Sequence, residues 1–317
     1  MGFDADSDLA KQICVVIPAF NEAENLTEVI PEIMRNLEPV DPGGYVLVVD
    51  DGSTDDTRRV MADLRLAYPS LRHERLNRNS GKAVALQRGF DVALEDGATV
   101  IIMMDADGQD DPAEIATLVQ KLDSGFDLVT GSRINRQDRF IKRTTSRLFN
   151  RVTKVLSGAP GQDFNSGFKV MTAATAKDLS SMLYGEMHRY ITVIVFWMGY
   201  RISDVSVNHR ERMHGSTKYG LNRFWRGFMD LLTVRFLMSY QQRPSHLFGG
   251  IGLASSFLGS LILVYLLIEK IGGEAVGNRP MLTAAVLLIV VGLQLFLFGL
   301  LAEIIVYSRQ RGSTPER

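Results

Sequence analysis

Two carboxylates separated by one residue, Asp105 and Asp107, stand at and just beyond the end of the apolar run 100–104, with Gln109 two residues further on. Hard oxygen donors at that spacing suit Mg²⁺ or Mn²⁺ shared with a diphosphate, since such ions prefer carboxylate and phosphate oxygens to softer ligands. A second acidic pair, Asp50 and Asp51, follows the run 45–49 and leads into Gly52, Ser53, Thr54, Asp55, Asp56 and Thr57. Carboxylates brought side by side repel one another and resist desolvation unless a cation or a set of donors compensates them. Both groups also have a plain structural explanation. Asp105 and Asp107 suit a strand-end turn ahead of Pro112, while Ser53 or Thr54 suits an N-cap with Asp55 and Asp56 on the helix dipole. Capping accounts for Asp55 and Asp56 better than for Asp50 and Asp51.

The elements that must carry these groups emerge as alternating periods. Apolar runs at 13–17, 45–49, 100–104 and 127–130 are separated by helix-like stretches beginning near Glu22, Thr54, Gly81 and Pro112. Short continuous apolar runs of this kind suit buried parallel strands joined by crossover helices, so the class is α/β. In such sheets ligands gather beyond the carboxyl ends of the strands, which is where Pro18, Asn21, Glu22, Asp51 and Asp107 stand. The 317 residues suffice for one large domain or two ordinary ones. With 35 Lys plus Arg against 36 Asp plus Glu, a net charge of −1 makes no global case for nucleic-acid binding. The single cysteine, Cys14, excludes an intrachain disulfide and reads as a small buried hydrophobe in a reducing compartment.

Near the C-terminus, residues 247–268 and 281–302 contain no charged side chain. A helix of either length covers ~33 Å, enough for a hydrocarbon core of ~30 Å, so both are expected to span a membrane. Buried core helices are the alternative. The N-terminus carries Asp4, Asp6 and Asp8 and is no signal peptide. Between residues 201 and 243 eight Lys and Arg face three Asp and Glu, which puts both termini of a hairpin in the cytoplasm. Phe224, Phe228, Leu231, Leu232, Phe236 and Leu237 recur at helical spacing among arginines, the pattern of an amphipathic helix on the membrane surface. The expected organisation is a cytosolic domain over 1–220, an interfacial helix over 221–243 and a hairpin over 244–317. The protein is thus expected to be integral to the cell inner membrane with its catalytic domain cytoplasmic, and homo-oligomers through the hairpin are left open.

Seven motifs occur in order: Val16-Ile17-Pro18-Ala19-Phe20-Asn21-Glu22, Val49-Asp50-Asp51-Gly52-Ser53, Asn79-Ser80-Gly81-Lys82, Asp105-Ala106-Asp107-Gly108-Gln109, Gly131-Ser132-Arg133, Asp163 with Ser166-Gly167-Phe168, and Arg212 with Gly215-Ser216-Thr217-Lys218. With them the chain resembles a family 2 glycosyltransferase of the polyprenyl-phosphate sugar synthase type, the group of dolichyl-phosphate mannose synthase and GtrB-like enzymes. The resemblance implies a GT-A (Rossmann-like) fold, a nucleotide-sugar donor, a divalent metal, Mg²⁺ or Mn²⁺, and a polyprenyl phosphate acceptor at a membrane.

Carried over residue by residue, the resemblance puts Pro18, Phe20, Glu22 and Asp51 around the nucleoside, with Val49, Lys82 and Ala106 at the same donor site. Asp105, Asp107 and Gln109 then hold metal and diphosphate. Phe20 replaces the tyrosine common in the family, which keeps stacking and loses a hydroxyl. Arg133, Lys142, Ser146 and Arg147 match positions that meet the acceptor phosphate, and Lys218 one that meets the donor diphosphate. Asp163, Glu186 and His188 border the sugar. Asp107, Arg133 and Lys218 are the residues expected to carry the transfer. A phosphate monoester with a second pKa of about 6 is mostly a dianion at pH 7 and needs no general base. It needs cationic guidance and stabilisation of the leaving group, and direct in-line attack inverts the anomeric carbon. A processive polysaccharide synthase and a non-catalytic membrane adaptor are the competing readings. The first is disfavoured by the missing Gln-x-x-Arg-Trp motif and the two spans, the second by the joint presence of Asp105, Asp107, Gln109, Arg133 and Lys218.

Overall fold

The computed structural model describes residues 11–133, 150–155, 157–208, 210, 244–273 and 280–312. The chain divides into two compact units, Met1–Val234 and Arg235–Arg317. The boundary falls within residues expected to form the interfacial helix, and residues 211–243 lie outside the described residues.

The first unit opens with β1 (Ile13–Ala19), α1 (Ala23–Leu37), β2 (Tyr45–Asp50), α2 (Thr57–Ala67), β3 (Leu71–Arg75), α3 (Lys82–Glu95) and β4 (Val100–Met103). After a 3₁₀ turn at Pro112–Glu114 come α4 (Ile115–Asp123), β5 (Leu128–Arg133), β6 (Lys169–Thr172), α5 (Ala173–Ser180), α6 (Ile191–Trp197) and β7 (Ile202–Val207). The seven strands form one sheet in the order β3-β2-β1-β4-β6-β5-β7. All neighbours run parallel except β6, which is antiparallel to both β4 and β5. The four strands expected from apolar runs are present, and the sheet is mixed rather than purely parallel.

The reason the first strands are continuous apolar runs is visible in their burial: every residue of β2 and β4 is buried, because helices cover both faces of the sheet. Helix α1 presents Leu26, Val29, Ile30, Ile33 and Leu37 at spacings of three and four to that core. Cutting Ile30 to alanine there removes a wholly buried side chain and costs about 2–5 kcal/mol. The three strands without an apolar run are the two edges and β6. At the edge, β3 buries only Leu71 and β7 only Val207. Strand β6 is four residues long and opens with a lysine.

The second unit is two helices, α7 (Pro244–Ile271) and α8 (Pro280–Gly312). Phe248–Ile271 and Pro280–Ile305 are long and apolar enough to cross a membrane, and most of each stretch is exposed. Leu261, Phe257, Leu287 and Phe298 point outward. Within this unit the pair is thus mostly exposed, unlike a pair of buried core helices. The pair is antiparallel and closes through small residues: a Cβ on Gly252 would overlap the Gly292 carbonyl, and one on Gly259 would meet the Ala285 carbonyl at 2.7 Å. Ser255 Oγ donates across the seam to the Leu288 carbonyl at 2.9 Å, and the Ser245 backbone N–H donates to Glu303 at 3.2 Å. Close backbone approach of this kind is how apolar helices associate where no hydrophobic drive separates them from lipid.

Candidate active site

The order β3-β2-β1-β4 reverses direction between β1 and β4, and a crevice opens there beyond their carboxyl ends, as expected for such sheets. It is a cavity of about 220 Å³ lined by Pro18, Ala19, Phe20 and Glu22 after β1, Asp51 after β2, Lys82 and Ala85 on α3, and Asp105, Ala106 and Asp107 after β4. Phe20 is 40% exposed, an aromatic face open to a planar ligand.

The loops around this cavity are tied by carboxylate and amide oxygens that accept from backbone N–H groups. Asp50 Oδ1 accepts from Ser53 N at 2.7 Å. Asn21 lies in the left-handed region with φ 58°, which asparagine tolerates, and its Oδ1 accepts from Thr54 N at 2.8 Å. Ser53 Oγ accepts from Asn21 N at 2.9 Å, and Asp55 accepts from Thr57 N at 3.0 Å. Neither Ser53 nor Thr54 therefore caps α2. The two oxygens of Asp51 accept from Ser80 N at 2.7 Å and Gly81 N at 2.8 Å. Asp51 thus fixes the turn that starts α3, and the next residue, Lys82, points to the cavity and pairs with Asp105.

Electrostatics at the Asp105–Asp110 loop are set by burial and by that lysine. Burial opposes ionisation of Asp105, yet the Lys82 ammonium holds its carboxyl below the ordinary range. Asp110, wholly desolvated and beside Asp105, is pushed up to about 7. Asp107 is 7% exposed, lines the cavity, and accepts from Gln109 N at 3.2 Å. Among the described residues no cluster of three His, Cys, Asp or Glu forms a closed ion cage. Two carboxylates on an open cavity nonetheless fit Mg²⁺ or Mn²⁺, which are commonly held by one or two carboxylates plus water and phosphate oxygens. Gln109 stands beside the cavity without lining it, and its carbonyl accepts from Arg210 N at 3.0 Å. Arg210 also grips Glu32 at 2.7 Å and Asp111 at 2.7 Å, a clamp absent from the sequence reading because its parts lie far apart in the chain.

Across β6, Arg133 ends β5 with only 15% of its side chain exposed, and donates from Nε and Nη2 to Asp163 at 2.6 and 3.1 Å. Burial alone would weaken its charge, but the Asp163 carboxylate raises its affinity for the proton. His188 is largely buried, and desolvation followed by the Lys82 charge pushes its imidazole down to about 3, so it is neutral at physiological pH. It is not among the residues that line the cavity. Glu186, by contrast, is 48% exposed and pairs with Arg189 at 2.8 Å.

Of the donor-site residues expected from the sequence, Pro18, Phe20, Glu22, Asp51, Lys82, Asp105, Ala106 and Asp107 line one cavity. Val49 does not: it is wholly buried and faces Gly89 of α3. Lys142, Ser146, Arg147 and Lys218 lie outside the described residues. Ala19 and Ala85 complete the lining, and as small apolar residues they carried no sequence signal.

Residues 14–187 match the family described as Glycosyl transferase family 2. Over 309 residues, 95% of this chain and 89% of the relative, the chain is 35% identical to the dodecaprenyl-phosphate galacturonate synthase of Rhizobium johnstonii. It is 32% identical over 296 residues, 93% of this chain and 88% of the relative, to the undecaprenyl-phosphate 4-deoxy-4-formamido-L-arabinose transferase of an Enterobacter species. In fold it is similar to glucosyl-3-phosphoglycerate synthase from Mycobacterium tuberculosis, solved with Mn²⁺ and UDP-glucose, with a TM-score of 0.54 and 21% identity over 72% of this chain and 79% of that one. The sheet is accordingly of the expected GT-A type.

Proposed function

The chain belongs to glycosyl transferase family 2, and from that premise we propose that it transfers a hexose or hexose derivative from a nucleoside-diphosphate sugar to a polyprenyl phosphate at the cytosolic membrane face. The observation that supports this most is that Phe20, Glu22, Lys82, Asp105 and Asp107 line a single cavity at the switch point of the sheet. An aromatic face suits a base, and two carboxylates beside a lysine suit a metal-bound diphosphate. The relatives' names add the acceptor class. The two long apolar helices add the membrane.

In this reading Phe20 stacks on the base, Asp51 holds the turn that aims Lys82 at the diphosphate, and Asp105 and Asp107 hold Mg²⁺ or Mn²⁺, with Gln109 in support. The bound ion supplies charge neutralisation for the departing nucleoside diphosphate. Arg133, held on Asp163 through Nε and Nη2, attracts the acceptor phosphate. The phosphate dianion needs no base, so neutral His188 serves as a hydrogen-bonding group to the sugar. Lys142, Ser146 and Arg147 belong to the acceptor side and Lys218 to the diphosphate, on the strength of the family resemblance.

The deciding experiment incubates the membrane-bound protein and polyprenyl phosphate with a panel of radiolabelled UDP- and GDP-sugars plus Mn²⁺, and extracts product into organic solvent. Chelator-sensitive label in the lipid phase from at least one donor is expected. Label recovered only in polymer or in no product overturns the reading. Orientation is tested by single cysteines at residues 272–277 in sealed vesicles, which are expected to react only from the side opposite the catalytic unit.

A further inference from the structure

Lys169 is a fully buried lysine that the transfer described above does not use. It opens β6, whose register sets it opposite Met103 of β4 on one side and Thr130 of β5 on the other. Those two strands lead directly to Asp105 and Arg133. Its Nζ donates to the carbonyls of Ser166 at 2.6 Å and Phe164 at 3.5 Å, both within the turn that carries Asp163. The same turn is held at its start by Asp204 of β7, which accepts from Gln162 N at 2.6 Å and from Ser132 Oγ at 3.3 Å. At its end, Gly167 lies flush on the metal-loop carboxylate: a Cβ there would stand 2.6 Å from Asp105 Oδ2. The turn is therefore a bridge between Asp105 and the Arg133–Asp163 pair, and Lys169 is the side chain beneath it.

We propose that Lys169 is a positioning residue for the transfer, a buried cation that holds the 162–168 turn so that Asp163 keeps Arg133 aimed at the acceptor phosphate. This rests on the functional reading above and deepens its acceptor side. The charge balance explains why a cation stands there. Asp163 and Asp204 attract the Lys169 ammonium while Arg133 and Lys82 oppose it, and loss of Lys169 leaves those carboxylates less compensated where a phosphate dianion must arrive. Burial pulls the Lys169 ammonium down to about 8, with Arg133 and Lys82 acting in the same direction and Asp163 and Asp204 offsetting part of it. The cation is accordingly present below about pH 8 and is lost above it. The second ionisation of the acceptor phosphate, at about 6, is already complete there.

Apparent KM for polyprenyl phosphate is measured from pH 7 to 9.5 in wild type, Lys169→Arg and Lys169→Met, alongside donor affinity by calorimetry without acceptor and the thermal unfolding midpoint. In wild type the acceptor KM is expected to rise about fivefold or more across that range with donor affinity steady. Lys169→Met is expected to show an acceptor KM raised roughly tenfold at pH 7 and insensitive to pH, while Lys169→Arg, charged throughout, keeps a low KM without the alkaline rise. A folded Lys169→Met with unchanged acceptor KM, equal loss of donor and acceptor binding, or an alkaline rise that persists in Lys169→Arg overturns the proposal. Where the variants do not fold, the wild-type profile decides, and a flat acceptor KM to pH 9.5 overturns it. Absence of any transfer to polyprenyl phosphate in wild type defeats the functional reading itself, whereas turnover with a flat profile defeats the role of Lys169 alone.

Discussion

Asp51 on one side of the cleft and Lys169 on the other perform the same mechanical task with opposite charge. Asp51 gathers the N–H groups of Ser80 and Gly81, and Lys169 gathers the carbonyls of Phe164 and Ser166. In the β1–β4 wall oxygen acceptors on backbone donors recur, with Asp50 and Asn21 repeating the device. The β5–β7 wall is built from desolvated cations, with Arg133 locked on Asp163. The difference teaches where each wall is vulnerable. Acceptors on N–H groups need no counter-charge of their own, whereas buried cations depend on balanced carboxylates, so one neutralisation there disturbs a whole set.

The largest expected effect lies at the meeting of the two walls. Asp107→Asn removes an anionic ligand without changing shape, and should cut turnover roughly 10²–10³-fold with an unchanged unfolding midpoint. Full turnover of this variant in excess chelator would remove the metal from the reading. Next comes Arg133→Glu, which should raise the acceptor KM by about 10²-fold while donor affinity by calorimetry stays within about threefold, because attraction for a dianion becomes repulsion. Equal losses of both would erase the division between the walls.

A smaller effect is expected at Asp51→Asn, whose amide can satisfy only one of the two N–H groups. A loss of about 1–3 kcal/mol in stability, visible as a lower urea midpoint, should accompany weaker donor binding and an unchanged acceptor KM. A matching loss of acceptor use would show that the walls are not independent. The smallest effect concerns His188, whose folded-state value of about 3 lies below the ordinary 6.5. As pH falls from 6.5 towards 3 the unfolded chain takes up a proton that the folded one refuses, so His188 lowers stability progressively across that window. His188→Gln should flatten the acid side of the stability profile while leaving the pH dependence of turnover between 6.5 and 8 unaltered. A profile identical to wild type would mean that the imidazole is hydrated in the folded state.

Strands β1, β2, β4 and β5 were legible because parallel strands covered on both faces must be apolar at nearly every position. Strand β6 was not, although it is central, because its four residues open with Lys169 and hydropathy cannot say that a lysine is buried against carbonyls. The edge strands β3 and β7 face solvent and carry too few apolar residues to stand out. At the site, Pro18, Glu22, Asp105 and Asp107 were legible from their spacing at strand ends and Phe20 and Lys82 from the family resemblance, and the cavity joins them. Val49 was named with them by the family resemblance, and its side chain turns inward to Gly89.

Residue types and local spacing by themselves determined the α/β class, the acidic strand ends, the two membrane-length helices and the family, because periodicity, oxygen-donor chemistry and length are properties of neighbouring residues. Tertiary structure alone decided what Asp51 and Lys169 do. The sequence placed Asp51 at the nucleoside, and only the arrival of residues 80–81 from the far end of β3 shows that both its oxygens also hold a turn. Lys169 acquires its setting from three strands whose register brings Met103, Thr130 and the 162–168 turn around one ammonium. The physical reason is the same in both cases: a charge is defined by the groups that solvate it, which for Asp51 are N–H groups about thirty residues away and for Lys169 are nearby carbonyls of a turn that the packing of the sheet buries.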